Sequence, residues 1–357
     1  LTQMAAADVD GLATKALPLA DTALVWIDAW SKDPAFCPPK EDNASKGIVN
    51  AWTRVMNPLT EWAYAKYGFY SAANWDHWIG WTFATPVSDG TRVYVSMGQG
   101  QAAAFSLDGK RAWARLLTLR RDPKNPSRWQ GSGPWANFVP SPLLADGVLI
   151  VQHPTYLAGL SASDGKTIWE AEVSVGNGYR VGSHAVLRLA NHPNPVLVCT
   201  DGKILDARTG ATLGVLPDKL MACGAEGGGS SLIAREDLLL VHEGKAPWNH
   251  KQFRLVADQG VVTATQVWET NGGVGDCNAT PILSGKRLLI PGEHGGAVHD
   301  WATGAQITKK RSRNDVFYNG WTSPILAGDL VVSWSSPIKS VGPNRNVGVG
   351  NVVRLKA

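Results

Sequence analysis

Residues 141–151 read Ser-Pro-Leu-Leu-Ala-Asp-Gly-Val-Leu-Ile-Val, and residues 164–169 read Asp-Gly-Lys-Thr-Ile-Trp. The apolar stretches on either side of Asp146-Gly147 predict two short strands, because Asp-Gly readily adopts the positive φ of a tight hairpin turn. A third apolar stretch, residues 157–160, precedes the second Asp-Gly turn and a strand that contains Trp169. Residues 141–169 therefore predict four antiparallel strands in succession.

The same pattern recurs along the chain. With the proline or its equivalent placed at positions 86, 142, 186, 231, 281 and 324, the spacings are 56, 44, 45, 50 and 43 residues. Such lengths suit one four-stranded blade with variable loops, and the strands lack the 3.6-residue periodicity of helical repeats. The sequence thus predicts an all-β fold, a β-propeller of four-stranded blades. The copies cover residues 85–113, 141–169, 185–210, 230–268, 280–304 and 323–355.

Composition agrees with a large folded core. Hydrophobic residues make up 44% of the chain and charged residues 18%, and the sequence contains 16 tryptophans. The formal net charge is +4, and we interpret its basic clusters as solvated loops because no aromatic residues interleave to form a nucleic-acid surface. No apolar run reaches the length of a transmembrane segment. We therefore expect neither a nucleic-acid partner nor a membrane span.

The ends of the chain suggest how the propeller closes. Residues 20–27 have the pattern of a blade's last strand, whereas the sixth copy stops after its third strand. An N-terminal strand that completes the last blade would remove an exposed sheet edge. We favour seven blades, because residues 15–19 supply a further strand, and six or eight blades are the alternatives. The whole chain, residues 1–357, is predicted to be a single propeller domain.

Between residues 33 and 78 the blade pattern is absent. Residues 46–56 and 59–67 have helical composition, and Asn57-Pro58 interrupts them. Apolar residues in the first segment recur every three to four positions, which gives one face suited to burial. We predict a helical insertion over residues 33–78, packed on one face of the propeller.

The phrase Asp164-Gly165-Lys166-Thr167-Ile168-Trp169 resembles the repeat of bacterial pyrroloquinoline-quinone (PQQ)-type propellers, and the resemblance covers residues 80–357. It implies that the tryptophans pack between adjacent blades. Quinone-dependent dehydrogenases of this fold carry an adjacent Cys-Cys pair near the cofactor. The four cysteines here, Cys37, Cys199, Cys223 and Cys277, include no such pair. We therefore identify the chain as a member that does not bind PQQ.

Propellers bind ligands at the mouth of the central channel, where the loops that enter the innermost strands converge. Two carboxylates with an asparagine would suit Ca²⁺, and a histidine with a cysteine and an aspartate would suit a transition metal. These polar residues would equally serve to satisfy channel backbone groups and ordered water. The candidate ligand residues are Trp81, Trp135, Asn137, His184, Glu226, Asp276, Cys277, Asn278, Asn319 and Trp321.

The cysteines show neither zinc-type spacing nor a CxxCH motif, and the chain contains no G-x-S-x-G nucleophile elbow. We therefore predict a non-enzymatic scaffold or protein-interaction subunit of the bacterial cell envelope, periplasmic or extracellular, with a protein partner or as one subunit of a larger assembly. The alternative is an enzyme or a cofactor- or metal-binding propeller with its site at the channel mouth. The first residues lack the pattern of a signal peptide, from which we expect a mature or trimmed chain.

Overall fold

The computed structural model describes about half of the chain, as strands, turns and short connections. Within these residues there are 24 β-strands and no helix. The predicted helical insertion, residues 33–78, and the predicted N-terminal strands lie outside them. The described residues are 84–96, 101–117, 121–122, 125–129, 140–153, 156–173, 182–217, 230–242, 249–270, 279–291, 296–308, 323–328, 330–335 and 349–354.

The chain divides into two compact units, residues 1–84 with 88–139 and residues 85–87 with 140–357. Sheet 1 is antiparallel, and the rings of Tyr94 and Trp113 lie on its same face with centroids 6.3 Å apart. A two-stranded ladder follows it. Sheet 1 contains β1 (Val87–Ser88), β2 (Arg92–Ser96), β3 (Gln101–Ser106) and β4 (Arg111–Leu116), and the ladder contains β5 (Arg121–Asp122) and β6 (Asn125–Trp129).

The second unit contains five further antiparallel sheets, each with its strands in sequence order. Sheet 2 contains β7 (Leu143–Ala145), β8 (Val148–His153), β9 (Tyr156–Ser161) and β10 (Thr167–Glu172). Sheet 3 contains β11 (Ala185–Leu187), β12 (Val196–Val198), β13 (Lys203–Asp206) and β14 (Thr212–Val215). Sheet 4 contains β15 (Ile233–Arg235), β16 (Leu238–His242), β17 (His250–Asp258) and β18 (Val261–Glu269).

The last two sheets have three strands each within the described residues. Sheet 5 contains β19 (Ile282–Ser284), β20 (Arg287–Ile290) and β21 (Ala297–Asp300). Sheet 6 contains β22 (Ile325–Ala327), β23 (Leu330–Ser335) and β24 (Val349–Arg354). The six sheets coincide with the six sequence copies, which confirms the all-β fold of propeller-type blades. The blade count of seven, the closure and the single domain stay predictions.

A row of hydroxyl groups connects consecutive repeats. Each member lies two residues before the first strand of its sheet, and its backbone N–H donates to the hydroxyl oxygen of the next member. We call these residues the hydroxyl row. The bonds run from Thr85 to Ser141 (2.9 Å), Ser141 to Ser183 (3.1 Å), Ser183 to Ser231 (3.0 Å), Ser231 to Thr280 (3.0 Å) and Thr280 to Ser323 (2.9 Å).

The hydroxyl row corrects the repeat register inferred from sequence. Its members are 56, 42, 48, 49 and 43 residues apart. The proline-equivalent residue therefore lies at His184 and Leu232, so the sequence-based positions 186 and 231 were wrong. Neither copy has a proline directly after its member of the hydroxyl row. Without that proline, the apolar pattern alone does not fix the register of the repeat.

Both faces of the inner strands are buried, as sheet 3 illustrates. On β12, Leu197 packs in one apolar cluster with Ile150 of sheet 2. Its neighbours Val196 and Val198 face the opposite way, into a cluster with Leu239 of sheet 4. Because successive side chains of a strand point to opposite faces, a continuous apolar run is what such doubly covered strands require.

Tryptophans on the fourth strands contact the next sheet. The Trp169 Nε1–H donates to the Ala207 carbonyl oxygen at 3.1 Å, and the Trp268 Nε1–H donates to the Trp301 carbonyl oxygen at 3.0 Å. Each indole lies against the glycine that closes the following turn, Gly210 or Gly304. These two contacts confirm that tryptophan packs between adjacent blades.

We predict that Gly210→Ala destabilises the protein more than Gly260→Ala does. Both glycines have positive φ, +72° and +80°, so both substitutions incur about 1–2 kcal/mol of backbone strain. An added Cβ at Gly210 would lie 2.8 Å from the Trp169 ring, whereas nothing lies within 4 Å of one at Gly260. Displacing the indole adds about 1–3 kcal/mol. Urea unfolding of both variants measures the difference, and equal losses would contradict the packing argument.

Candidate functional site

The candidate site predicted from sequence is represented in the described residues by His184. Its prediction as a convergent ligand site therefore stays a prediction. The other candidates, Trp81, Trp135, Asn137, Glu226, Asp276, Cys277, Asn278, Asn319 and Trp321, lie outside the described residues.

His184 lies at the start of sheet 3 and is buried, with 5% of its surface exposed. Its Nδ1 accepts a hydrogen bond from the Thr200 backbone N–H at 3.1 Å. Because Nδ1 is an acceptor, the ring proton resides on Nε2, which donates to the Gln152 side-chain oxygen at 2.8 Å. Both ring nitrogens thus have partners in the protein, one within sheet 3 and one in sheet 2.

Burial sets the charge of this histidine. It lowers the pKa of His184 from 6.5 to about 4, and the negative charge of Asp201 opposes the shift. The imidazole is consequently neutral at pH 7. A metal ion at either nitrogen would first have to replace a hydrogen bond, so the geometry makes His184 a polar connector between two sheets.

Cys199, next to Thr200, is a buried free thiol. Burial raises the pKa of Cys199 well above its ordinary value. A thiol held in its protonated form is a poor nucleophile and a poor metal ligand. Its side chain packs in the apolar cluster between sheets 2 and 3.

Sequence reasoning missed the partners of His184 and a second buried polar group. Gln152 and His153 are the last two residues of the otherwise apolar strand β8, and the second group, His242 with His250, flanks the connection from β16 to β17. In an antiparallel sheet the start of the first strand, the end of the second and the start of the third share one edge. A polar residue that terminates an apolar strand was the available signal.

In the described part of the chain, no three or more His, Cys, Asp or Glu side chains converge closely enough to hold a metal ion. In the same residues no helix has the length and apolar character needed to cross a membrane.

We predict that the protein loses stability as the pH falls from about 6.5 to about 4, in part through His184. Unfolded His184 binds a proton near its ordinary pKa of 6.5, whereas the folded form does so only near 4. The unfolded state therefore holds more protons in this window, and acid favours it. Replacing His184→Gln should reduce the loss across the window by about 3 kcal/mol.

The free energy of unfolding of both proteins, measured by urea titration at a series of pH values, checks this. Above pH 7 the two curves should run parallel, because neither state of His184 binds a proton there. Parallel curves down to pH 4 would show that burial of His184 does not contribute.

Comparison with known proteins gives one family match. Residues 75–212 match the family model described as outer membrane protein assembly factor BamB. No curated protein matches the sequence.

Solved structures with a similar fold include BamB from Moraxella catarrhalis, with 14% identity, a TM-score of 0.44, and coverage of 70% of this chain and 69% of that one. A europium-containing methanol dehydrogenase has 14% identity and a TM-score of 0.45, with 71% and 65% covered. The quinohemoprotein alcohol dehydrogenase from Comamonas testosteroni has 19% identity and a TM-score of 0.42, with 64% and 42% covered. The chain spans less than two thirds of either dehydrogenase.

The matched residues, 75–212, include sheets 1 and 2 and most of sheet 3. The Asp-Gly-Lys turn that precedes Trp169 lies in sheet 2. Over residues 75–212 the chain is similar to this family model, in agreement with the resemblance that the repeat phrase indicated.

Proposed function

We propose that this protein is a non-enzymatic β-propeller scaffold that binds another protein in the bacterial cell envelope. The matching family model is described as an outer membrane assembly factor, and that description supports both the envelope location and the role in assembly. The buried groups described above support a structural role too, because His184 and Cys199 are neutral and committed to packing between sheets.

The observation that carries the proposal is the hairpin of β17 and β18. Each of its strands has nine residues, whereas no other strand among the described residues exceeds six. One face of the hairpin packs on sheet 3 through Leu255, Ala257 and Val262, which share a cluster with residues of that sheet. The extra length therefore rests on the neighbouring sheet and is held in place.

The opposite face of this hairpin is exposed and partly apolar. Val256 is 50% exposed and Val261 is 55% exposed. Val256 pairs with Thr263 and Val261 pairs with Asp258, so the two valines lie diagonally across the same face. Arg254 and Asp258 on this face are also exposed and provide a polar rim. An apolar centre with a polar rim, on a rigid element, is the arrangement of a protein-binding surface.

We predict that a photo-crosslinking amino acid at Thr263 captures one discrete partner protein in intact cells. Substituting Val256→Asp and Val261→Asp in the same chain should abolish the product, because buried carboxylates at the contact would lack partners. Ile168→Asp is the matched control, since Ile168 is 51% exposed on β10 of a different sheet and its substitution should leave the product unchanged. The measurement is the crosslinked band and its mass.

All three substituted side chains are at least half exposed, so the fold should tolerate the changes. No product from Thr263, or a product that survives both valine substitutions, would rule out this surface. An equal loss of the crosslinked product in the Ile168→Asp variant would show that the effect of the valine substitutions is not local to the hairpin.

A further inference from the structure

Three buried polar atoms on one face of sheet 4 lack hydrogen-bond partners within the described part of the chain: His242 Nδ1, His250 Nε2 and Gln252 Oε1. The three residues are 5%, 2% and 0% exposed. An unpaired buried polar atom destabilises the folded state, and buried polar groups in proteins are nearly always hydrogen-bonded, so three together in one sheet interface indicate a missing partner.

The three side chains lie on adjacent strands. His242 at the end of β16 is paired directly with His250 at the start of β17, and their ring centroids are 4.5 Å apart. Gln252 follows on the same face of β17, and its Nε2 donates to the Trp301 carbonyl oxygen at 2.8 Å. This face packs against sheet 5, since Leu240, opposite Gln252, shares a cluster with Leu288 and Ile290.

Sheet 2 shows which residues occupy the corresponding strand positions in another repeat. By strand register, Gln152 and Leu157 of sheet 2 correspond to His242 and His250. Gln152 Oε1 accepts a hydrogen bond from Nε2–H of His184, the residue that follows Ser183 of the hydroxyl row. The corresponding residue after Thr280 is Pro281, which has no side-chain hydrogen-bonding group. Among the described residues, Pro281 therefore offers the sheet 4 atoms no partner of the kind that His184 offers Gln152.

The chemistry of the three atoms indicates what they bind. His242 and His250 each have one buried ring nitrogen without a hydrogen-bond partner within the described part of the chain, and such a nitrogen can offer an electron pair to a metal ion. Imidazole nitrogen suits Zn²⁺ and its neighbours in the first transition row, whereas Ca²⁺ and Mg²⁺ require oxygen ligands, chiefly carboxylates.

We propose that His242 and His250 together bind a first-row divalent transition metal ion, for which Zn²⁺ is the probe, in the interface between sheets 4 and 5. Water completes the coordination of the metal, and Gln252 Oε1 accepts a hydrogen bond from that water. The metal stabilises the interface, because it binds the folded protein and satisfies groups that are otherwise unpaired. The proposed ligands are different residues from the predicted channel-mouth candidates, and the proposal does not rest on the scaffold function.

The structure supplies its own matched variant. His242→Gln with His250→Leu installs in sheet 4 the pair that sheet 2 already carries, Gln152 and Leu157. After dialysis against a chelator and then against Zn²⁺, elemental analysis of the full chain should give about one Zn²⁺ per wild-type chain and none in the double variant. Zn²⁺ should raise the melting temperature of the wild type alone. His192→Asn is the control, since His192 lies in sheet 3 and should leave the Zn²⁺ content unchanged.

X-ray absorption of the Zn²⁺-loaded wild type tests the ligands without any substitution and should show two imidazoles with oxygen. A sulfur-containing or all-oxygen shell would overturn the assignment, as would equal Zn²⁺ retention by the double variant. A wild type without bound Zn²⁺ would also overturn it, and would show that water alone satisfies these atoms. Should the double variant fail to fold, the single variant His242→Gln and the absorption spectrum still decide the question.

Discussion

No inner sheet of this protein can be stable by itself, because its strands are apolar on both faces. On β12, Val196 and Val198 need sheet 4 as a cover while Leu197 needs sheet 2. The hydrophobic effect brings the sheets together but has no direction, so it does not decide how far one sheet slides on the next. The hydroxyl row and the tryptophan contacts supply that direction, because hydrogen bonds require defined distances and angles.

The sheets could be predicted from the sequence because their signals are local. Asp146-Gly147 and Asp164-Gly165 each predict a turn from two consecutive residues, and the strands between them are short and apolar. The predicted repeat register was wrong at the third and fourth copies because it too depended on a local signal. His184 and Leu232 stand there in place of the proline that marks the other copies. Those copies are aligned by a hydrogen bond from the Ser183 backbone N–H to the hydroxyl of Ser231, 48 residues away. No local sequence pattern predicts a contact at that separation.

The candidate site as a whole stays a prediction, and the surroundings of His184 could not be predicted from the sequence. Its position in an entry loop drew attention to it, and the structure places it as a buried connector between two sheets. Its partners Gln152 and Thr200 lie 32 and 16 residues away in sequence, and each becomes relevant only after the sheets have stacked. The charge state of a histidine depends on such partners and on burial, so residue type alone could not assign its role.

The same place in two repeats shows how one fold accommodates different chemistry. In sheet 2 an amide and an imidazole from the next sheet satisfy each other, which makes the interface polar at one point and specific in register. In sheet 4 two imidazoles occupy the strand ends, and the residue that corresponds to His184 is Pro281, which has no side-chain hydrogen-bonding group. A repeat fold retains its stacking as long as the apolar faces and the hydroxyl row persist. The polar residues at the strand ends are then free to diverge, and new binding chemistry is expected there first.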